Sequence, residues 1–199
     1  MITLPPCSFK GCSDKALTDA DRCAAHLPDP AAYTEKLKRT LAPLSQLENV
    51  NLAGLALTDC DLSGKAFRSC DFSRTTFTDC NFSDMRLHLV FWDSSRIIRC
   101  RFAGSKIKWS VMAESEIVDC DFTNSDVFRC NLNGAKLTNV VFHNSTLYST
   151  RFIGAVLSKV EFENCNLLRA HFEFADTRGA HFSNTNTEEA FFDERRTGS

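Results

Sequence analysis

Four residues near the start of the chain have the types and spacing to hold a metal. Cys7 and Cys12 are separated by four residues, and Cys23 and His26 by two. Three thiolates and one imidazole complete a closed tetrahedral Cys3His set, which is a zinc site of the structural kind because no position is left open for a substrate. Gly11, just before Cys12, suits a tight knuckle turn. So short a segment has little core of its own, so a bound ion would supply much of its folding energy. The alternative is four unrelated residues in a flexible arm.

Other chemistry-bearing groups are more ambiguous. His143, Glu161, Glu163 and His181 could serve as acid, base or ligand, as in an enzyme using His143 and Glu163. They also fall into pairs twenty residues apart, His143 with Glu163 and Glu161 with His181. A basic run, Arg86, Arg96, Arg99, Arg101, Lys106 and Lys108, would alone suggest a nucleic-acid patch. Twenty residues on, the chain offers Glu116, Asp119, Asp121 and Asp126 as partners for Arg96, Arg99, Arg101 and Lys106. Charges paired in this way form ladders on neighbouring strands and neutralise the patch. No phosphate loop, nucleophile motif or cofactor fingerprint is present, and direct nucleic-acid binding is not expected.

The elements that must position these residues follow from one rhythm. An apolar residue returns every fifth position, as in CDFTNSDVFRCNLNGAKL, where Phe122, Val127, Leu132 and Leu137 keep the beat. The register runs from Leu47 to Phe182. Two residues before each beat sits a compact side chain, among them Cys60, Cys80, Cys100, Cys120, Cys130, Ala155 and Cys165. A unit of five cannot bury its own side chain, but stacked coils can. The pattern resembles A(D/N)LXX, the signature of pentapeptide repeat proteins. That resemblance implies an all-β fold: a right-handed quadrilateral parallel β-helix with four units per coil. Roughly thirty units then give about 7 coils and a rod of about 35 Å. Phe82, Phe102, Phe122, Phe142, Phe162 and Phe182 fall in one column at a twenty-residue spacing, which supports that coil length. Trp92 is large for a core slot, and a local bulge is expected there. The column of Cys60, Cys80, Cys100 and Cys120 reads as packing filler, because parallel stacking spaces the side chains too widely for disulfides.

The expected organisation has four parts. Residues 1–28 form the zinc knuckle, where CSFKGCSDKALTDADRCAAH resembles small bacterial zinc-binding knuckles. Residues 29–46 hold a capping helix with Asp29 as N-cap and Pro30 at its first position. Its face of Tyr33, Leu37, Leu41 and Leu44 should seal the first coil. Residues 47–186 are the repeats. Residues 187–199 form a cap or tail, in which TEEAFFDERR could be a short helix begun by Thr187.

Composition narrows the class. The net charge is only −2, which gives no global drive toward nucleic acid or anionic lipid. No signal peptide or apolar run long enough for a membrane span is seen. Ten cysteines without a secretory signal suit reduced thiols in a cytoplasm.

The outward positions carry the functional expectation. Trp109, Phe128, Tyr148 and Leu168 depart from polarity together on one face, with Leu89 beside them, Lys108 below Phe128 and Arg129 above Trp109. Such patches mark an interface or lie under another part of the chain. The reading is a non-enzymatic protein-binding or scaffold protein. Some pentapeptide repeat proteins protect DNA gyrase or topoisomerase as DNA mimics, and that is the alternative. It requires an extended acidic surface, whereas acid and base alternate by coil here. A homodimer could form through the outer apolar face or through Phe191 and Phe192.

Overall fold

The computed structural model describes residues 4–193. Short strands repeat at a spacing of twenty residues and pair in parallel, Gln46 beside Ala66, Leu47 beside Phe67 and Ile107 beside Val127. Two sheets on opposite sides contain five and seven strands. Isolated parallel bridges such as Asn51–Asp71 and Asp61–Asn81 close the other two sides. The result is a four-sided parallel solenoid of about seven coils. We call the sides first to fourth after their first inward residues, Leu47, Leu52, Leu57 and Leu62.

Each coil donates its backbone to its neighbours. Phe102 N–H reaches Asp121 O at 2.6 Å, and Lys106 N–H reaches Met85 O at 2.8 Å. Inside, the phenylalanine column of the fourth side is a continuous stack from Phe82 to Phe182, with ring centroids 4.5–5.2 Å apart. The compact slot has its own logic. Cys130 Sγ donates to Ile107 O at 3.2 Å, Ser105 Oγ to Phe82 O at 2.7 Å, and Thr75 Oγ1 to Leu52 O at 2.9 Å. Cys, Ser and Thr are interchangeable there because each satisfies a carbonyl 23 residues earlier. Burial pushes the Cys70 thiol up to about 11 and the Cys130 thiol up to about 12, so neither is poised to react.

The corners impose a second rule. The residue two after each inward position has a positive φ at every unit from Asn49 to Glu189, except Gly179. That left-handed conformation suits Gly, Asn and Asp. Leu89, Trp109 and Phe174 occupy it with φ of 55°, 49° and 60° despite their bulk.

Helix α1 spans Pro30–Leu41, with the Asp29 carboxylate accepting from Ala32 N–H and Pro30 in the first turn. Leu37 and Leu41 are buried at the open end of the first coil beside Leu52, Leu57 and Leu62. Lys65 Nζ donates to Ala42 O and Leu44 O at 2.8 and 2.7 Å, which satisfies carbonyls at the helix end. Leu44 departs from expectation. It lies past the helix and is 43% exposed.

Two further expectations are corrected. Trp92 causes no bulge. Trp92 N–H bonds Val111 O at 2.6 Å in the regular pattern, and the side chain is fully buried. The indole meets Phe72, Phe77, Phe82 and Phe102 at centroid distances of 4.8–6.0 Å, mostly edge to face. The irregularity comes instead where strand Val156–Glu163 meets strand Asp176–Ser183, with Ser158 opposite Gly179. A Cβ at Gly179 would lie 2.7 Å from Leu157 O, so only glycine fits. At the C-terminal end, residues 187–193 continue the coil rather than starting a helix, since Phe191 bridges His171. Residues 194–196 of the expected helix lie outside the described residues.

Trp92→Ala should lower the unfolding free energy by about 3–5 kcal/mol, because a ring at the centre of four others leaves a cavity that stacked coils cannot collapse. A urea titration that shows a loss under about 1 kcal/mol would contradict this packing.

Candidate metal cluster and outer aromatic face

The N-terminal segment brings its four predicted ligands together. Pro6 and Lys15 form an antiparallel bridge around the turn at Gly11, whose φ is +83°. A 3-10 turn, Ala24–His26, carries His26 toward Cys23. Cys12 Sγ and Cys23 Sγ are 3.8 Å apart, Cys7 Sγ and His26 Nδ1 3.7 Å, and Cys23 Sγ and His26 Nδ1 3.2 Å. All four ligand atoms fall within 4.8 Å of one another, so the cluster could hold a metal ion. A tetrahedral site with ~2.3 Å metal–sulfur bonds needs sulfurs about 3.8 Å apart. Phe9 stacks on His26 at 3.9 Å with the ring planes 6° apart, which fixes the imidazole.

Electrostatics at the cluster favour a thiolate at one position. Burial raises the Cys7 thiol, but the backbones of Cys23 and Phe9, with His26 and Cys23 side chains, bring it down to about 6. Cys23 N–H donates to Cys7 Sγ at 3.3 Å. Burial and the adjacent Cys7 and Cys12 thiols push Cys23 up. The knuckle is fixed to the rod through Asn51, which donates to Ala16 O at 2.7 Å, and through an Arg74–Asp14 ion pair at 3.3 Å.

The outer residues gather on the first side as one ladder. His88 contacts Trp109 edge to face at 5.1 Å, Trp109 contacts Phe128 at 5.5 Å, and Phe128 stacks on Tyr148 at 5.3 Å. Leu168 lies one coil beyond Tyr148, whose O–H accepts from Arg169 at 3.3 Å. Trp109 and Leu89 are each 42% exposed, and the others are half-buried by one another. Lys108 and Arg129 both lie over Phe128, at 5.7 and 5.2 Å. Arg129 lies one coil above Trp109 in the backbone register, but its guanidinium turns to the Phe128 ring beside it. Helix α1 packs at the first coil and does not reach this ladder. Phe191 stacks on His171 and Phe192 on Phe172, yet they remain 49% and 38% exposed.

The axial charge pairs are only partly those expected. Arg96 meets Glu116 at 2.8 Å and Arg101 meets Asp121 at 3.8 Å. Arg99 pairs with Asp79 one coil back, through two hydrogen bonds of 2.7 Å, while Asp119 accepts from Asn139. Asp126 is engaged by Lys108 at 3.5 Å rather than by Lys106. His143 meets Glu161 at 2.7 Å and Glu163 at 3.8 Å, with both carboxylates on the outer surface. Glu161 and His181 are in backbone register, but the carboxylate turns to His143. Register alone predicts neighbours; side-chain length and competition choose the partner.

A double-mutant cycle on Arg99 and Asp79 should give a small, salt-sensitive coupling, with a smaller one still for Arg99 and Asp119. Equal couplings would refute the paired geometry.

Family comparisons agree with the coil. The profile for the pentapeptide repeat region matches residues 115–192, and that for pentapeptide repeats, eight copies, matches residues 45–84. No curated protein matches the chain. Among solved structures, trypsin-treated QnrB1, a plasmid-mediated fluoroquinolone resistance protein, aligns with a TM-score of 0.58 and 20% identity, over 76% of this chain and 85% of its own. HetL, a pentapeptide repeat protein involved in heterocyst differentiation regulation from the cyanobacterium Nostoc, aligns with a TM-score of 0.50 and 15% identity, over 78% and 92%. These identities speak to the fold alone. With the two profile matches together covering more than half of a chain folded as a five-residue-unit solenoid, the chain belongs to the pentapeptide repeat proteins.

Proposed function

We propose that this protein is a non-enzymatic binding or scaffold protein that presents the first side of its rod to a protein partner. The observation that carries the reading is the ladder of Trp109, Phe128 and Tyr148, continued by Leu168, on a flat outer face whose other positions are largely polar. A flat aromatic face suits a macromolecule better than a small ligand, which needs a concavity. The paired thiol-rich knuckle is a structural zinc centre in this reading, with Cys7, Cys12, Cys23 and His26 as ligands, and the reduced core thiols suit a cytoplasmic setting. His143 serves as a surface hydrogen-bond partner of Glu161, with Glu163 beside it, rather than working with Glu163 as acid and base.

A second reading is supported by the fourth side. It carries Asp61, Asp84, Asp121, Glu161 and Glu163, with Arg101 as its one Lys or Arg. An acidic side could substitute for DNA on DNA gyrase or another topoisomerase, in line with the resistance protein whose fold this chain shares. Protection of gyrase supercoiling from a fluoroquinolone by the purified protein would favour that reading over the scaffold.

Changing Phe128 and Tyr148 together to Ser should abolish capture of the partner from the native cytoplasm, with little change in melting temperature. Unaltered capture, and unaltered mass in solution, would remove the stripe as an interface.

Zinc has an independent test. Protein purified without added metal should hold about one equivalent. After chelation, three of the ten cysteines should react rapidly with a thiol reagent and the seven in the repeats only after denaturation. Readded zinc should protect the three. Fast reaction of the repeat thiols, or no protection, would contradict the assignment.

A further inference from the structure

The coil sorts the charges by side, and this deepens the preceding reading. On the first side, from the coil of Arg68 to that of Arg169, the cations are Lys65, Arg68, Arg86, Lys106, Lys108, Arg129 and Arg169 against Asp126, while Glu48 and Glu189 in the flanking coils pair with Arg68 and Arg169. Of the pairs that neutralise the basic run, those of Arg96 and Arg99 lie on the third side and that of Arg101 on the fourth, and of that run only Lys108 is paired on the first side, with Asp126. Arg86 and Lys106 are exposed, and neither makes an ion pair among the described residues. Arg68, paired with Glu48, and Arg86 line a shallow depression with His88, whose Nδ1 is shielded from water without a hydrogen-bond partner.

From this we infer that the occupant of the first side is an acidic polypeptide segment with interspersed apolar side chains. The inference rests on the protein-binding reading and adds the partner's chemistry. Cations and aromatics mix within a strip only four residues wide, so a partner must satisfy both at close quarters. Carboxylates beside Leu or Phe side chains do so. Phe128 and Tyr148 lie face to face at 8°, so these two rings spend a face on each other and leave their edges around the stack, while Trp109 stands at 81° to Phe128. Nucleic-acid bases need open ring faces to stack on. Ring edges carry the positive part of the aromatic quadrupole, which favours carboxylates. Trp109 is also held at φ 49°, at a corner where Asn or Gly would be relaxed, so the fold alone does not ask for it.

The test uses the full-length protein and a short labelled peptide in which Glu and Asp alternate with Leu and Phe. Binding should shield Trp109 from acrylamide, with buried Trp92 as the unchanging background, and should weaken as salt rises. Arg86→Glu with Lys106→Glu should weaken binding about tenfold or more at unchanged melting temperature, and a peptide with Lys in place of the acids should not bind. If the charge-reversed protein binds the peptide equally well, or oligothymidylate binds as tightly as the peptide, the inference is overturned. If charge reversal leaves capture of the native partner intact while Phe128→Ser with Tyr148→Ser abolishes it, the partner's acidity is refuted and the protein-binding face stands. If neither pair of substitutions affects capture, both readings fall. Salt-sensitive self-association lost on charge reversal would also overturn it, by making the acidic fourth side of a second copy the occupant.

Discussion

Each coil has to turn four corners and return to lie one strand spacing from where it began, and every other feature depends on that closure. The left-handed residue at each corner supplies the turn, and the hydrogen bonds to the next coil lock it. Since the corners recur every five residues, inward side chains are forced into four axial columns. Burial follows from closure: each Phe, Leu or Ile covers the one below, at about 1.5–3 kcal/mol per side chain. The compact slot beside each column then needs a small donor, which explains why Cys, Ser and Thr share it.

Closure also explains how the rod ends. An end coil has no neighbour to accept its backbone or cover its core. At the start, Leu37 and Leu41 of helix α1 lie over the first inward leucines, and the knuckle adds Leu17 to the same core. The knuckle has few apolar residues; it is tied to the rod by Asn51 and the Arg74–Asp14 pair, and its Cys7, Cys12, Cys23 and His26 cluster could hold a metal ion. At the far end the geometry relaxes. Gly179 loses the corner conformation, a register shift intervenes, and Phe182 and Phe192 remain partly exposed.

The outer surface is free of these demands, and there the sides diverge. One is cationic and aromatic, another acidic, and the third carries paired charges. A nearly neutral chain thus becomes a rod with distinct faces, and recognition by such a rod depends on which side a partner meets. Fold alone does not assign that partner.

The sequence by itself determined the coil, because a strict period of five with a twenty-residue phenylalanine column has one economical solution. It also determined the Asp29 cap, the start of the repeats near Leu47, and the gathering of Cys7, Cys12, Cys23 and His26, since ligand type and spacing were readable outside the repeat. The Asn, Asp and Gly enrichment two residues after each beat was a further signal, and it marks the left-handed corners. Tertiary structure alone decided how Trp92 fits, because most of the rings around it, Phe72, Phe77 and Phe82, come from ten to twenty residues earlier in the chain. It likewise decided that Arg99 takes Asp79 rather than Asp119 and that Asp126 takes Lys108. Linear spacing puts a charge between two neighbours, and only three-dimensional reach chooses one. The same holds for the cationic first side: along the chain its residues mix with those of three other sides, and the turn of the coil separates them.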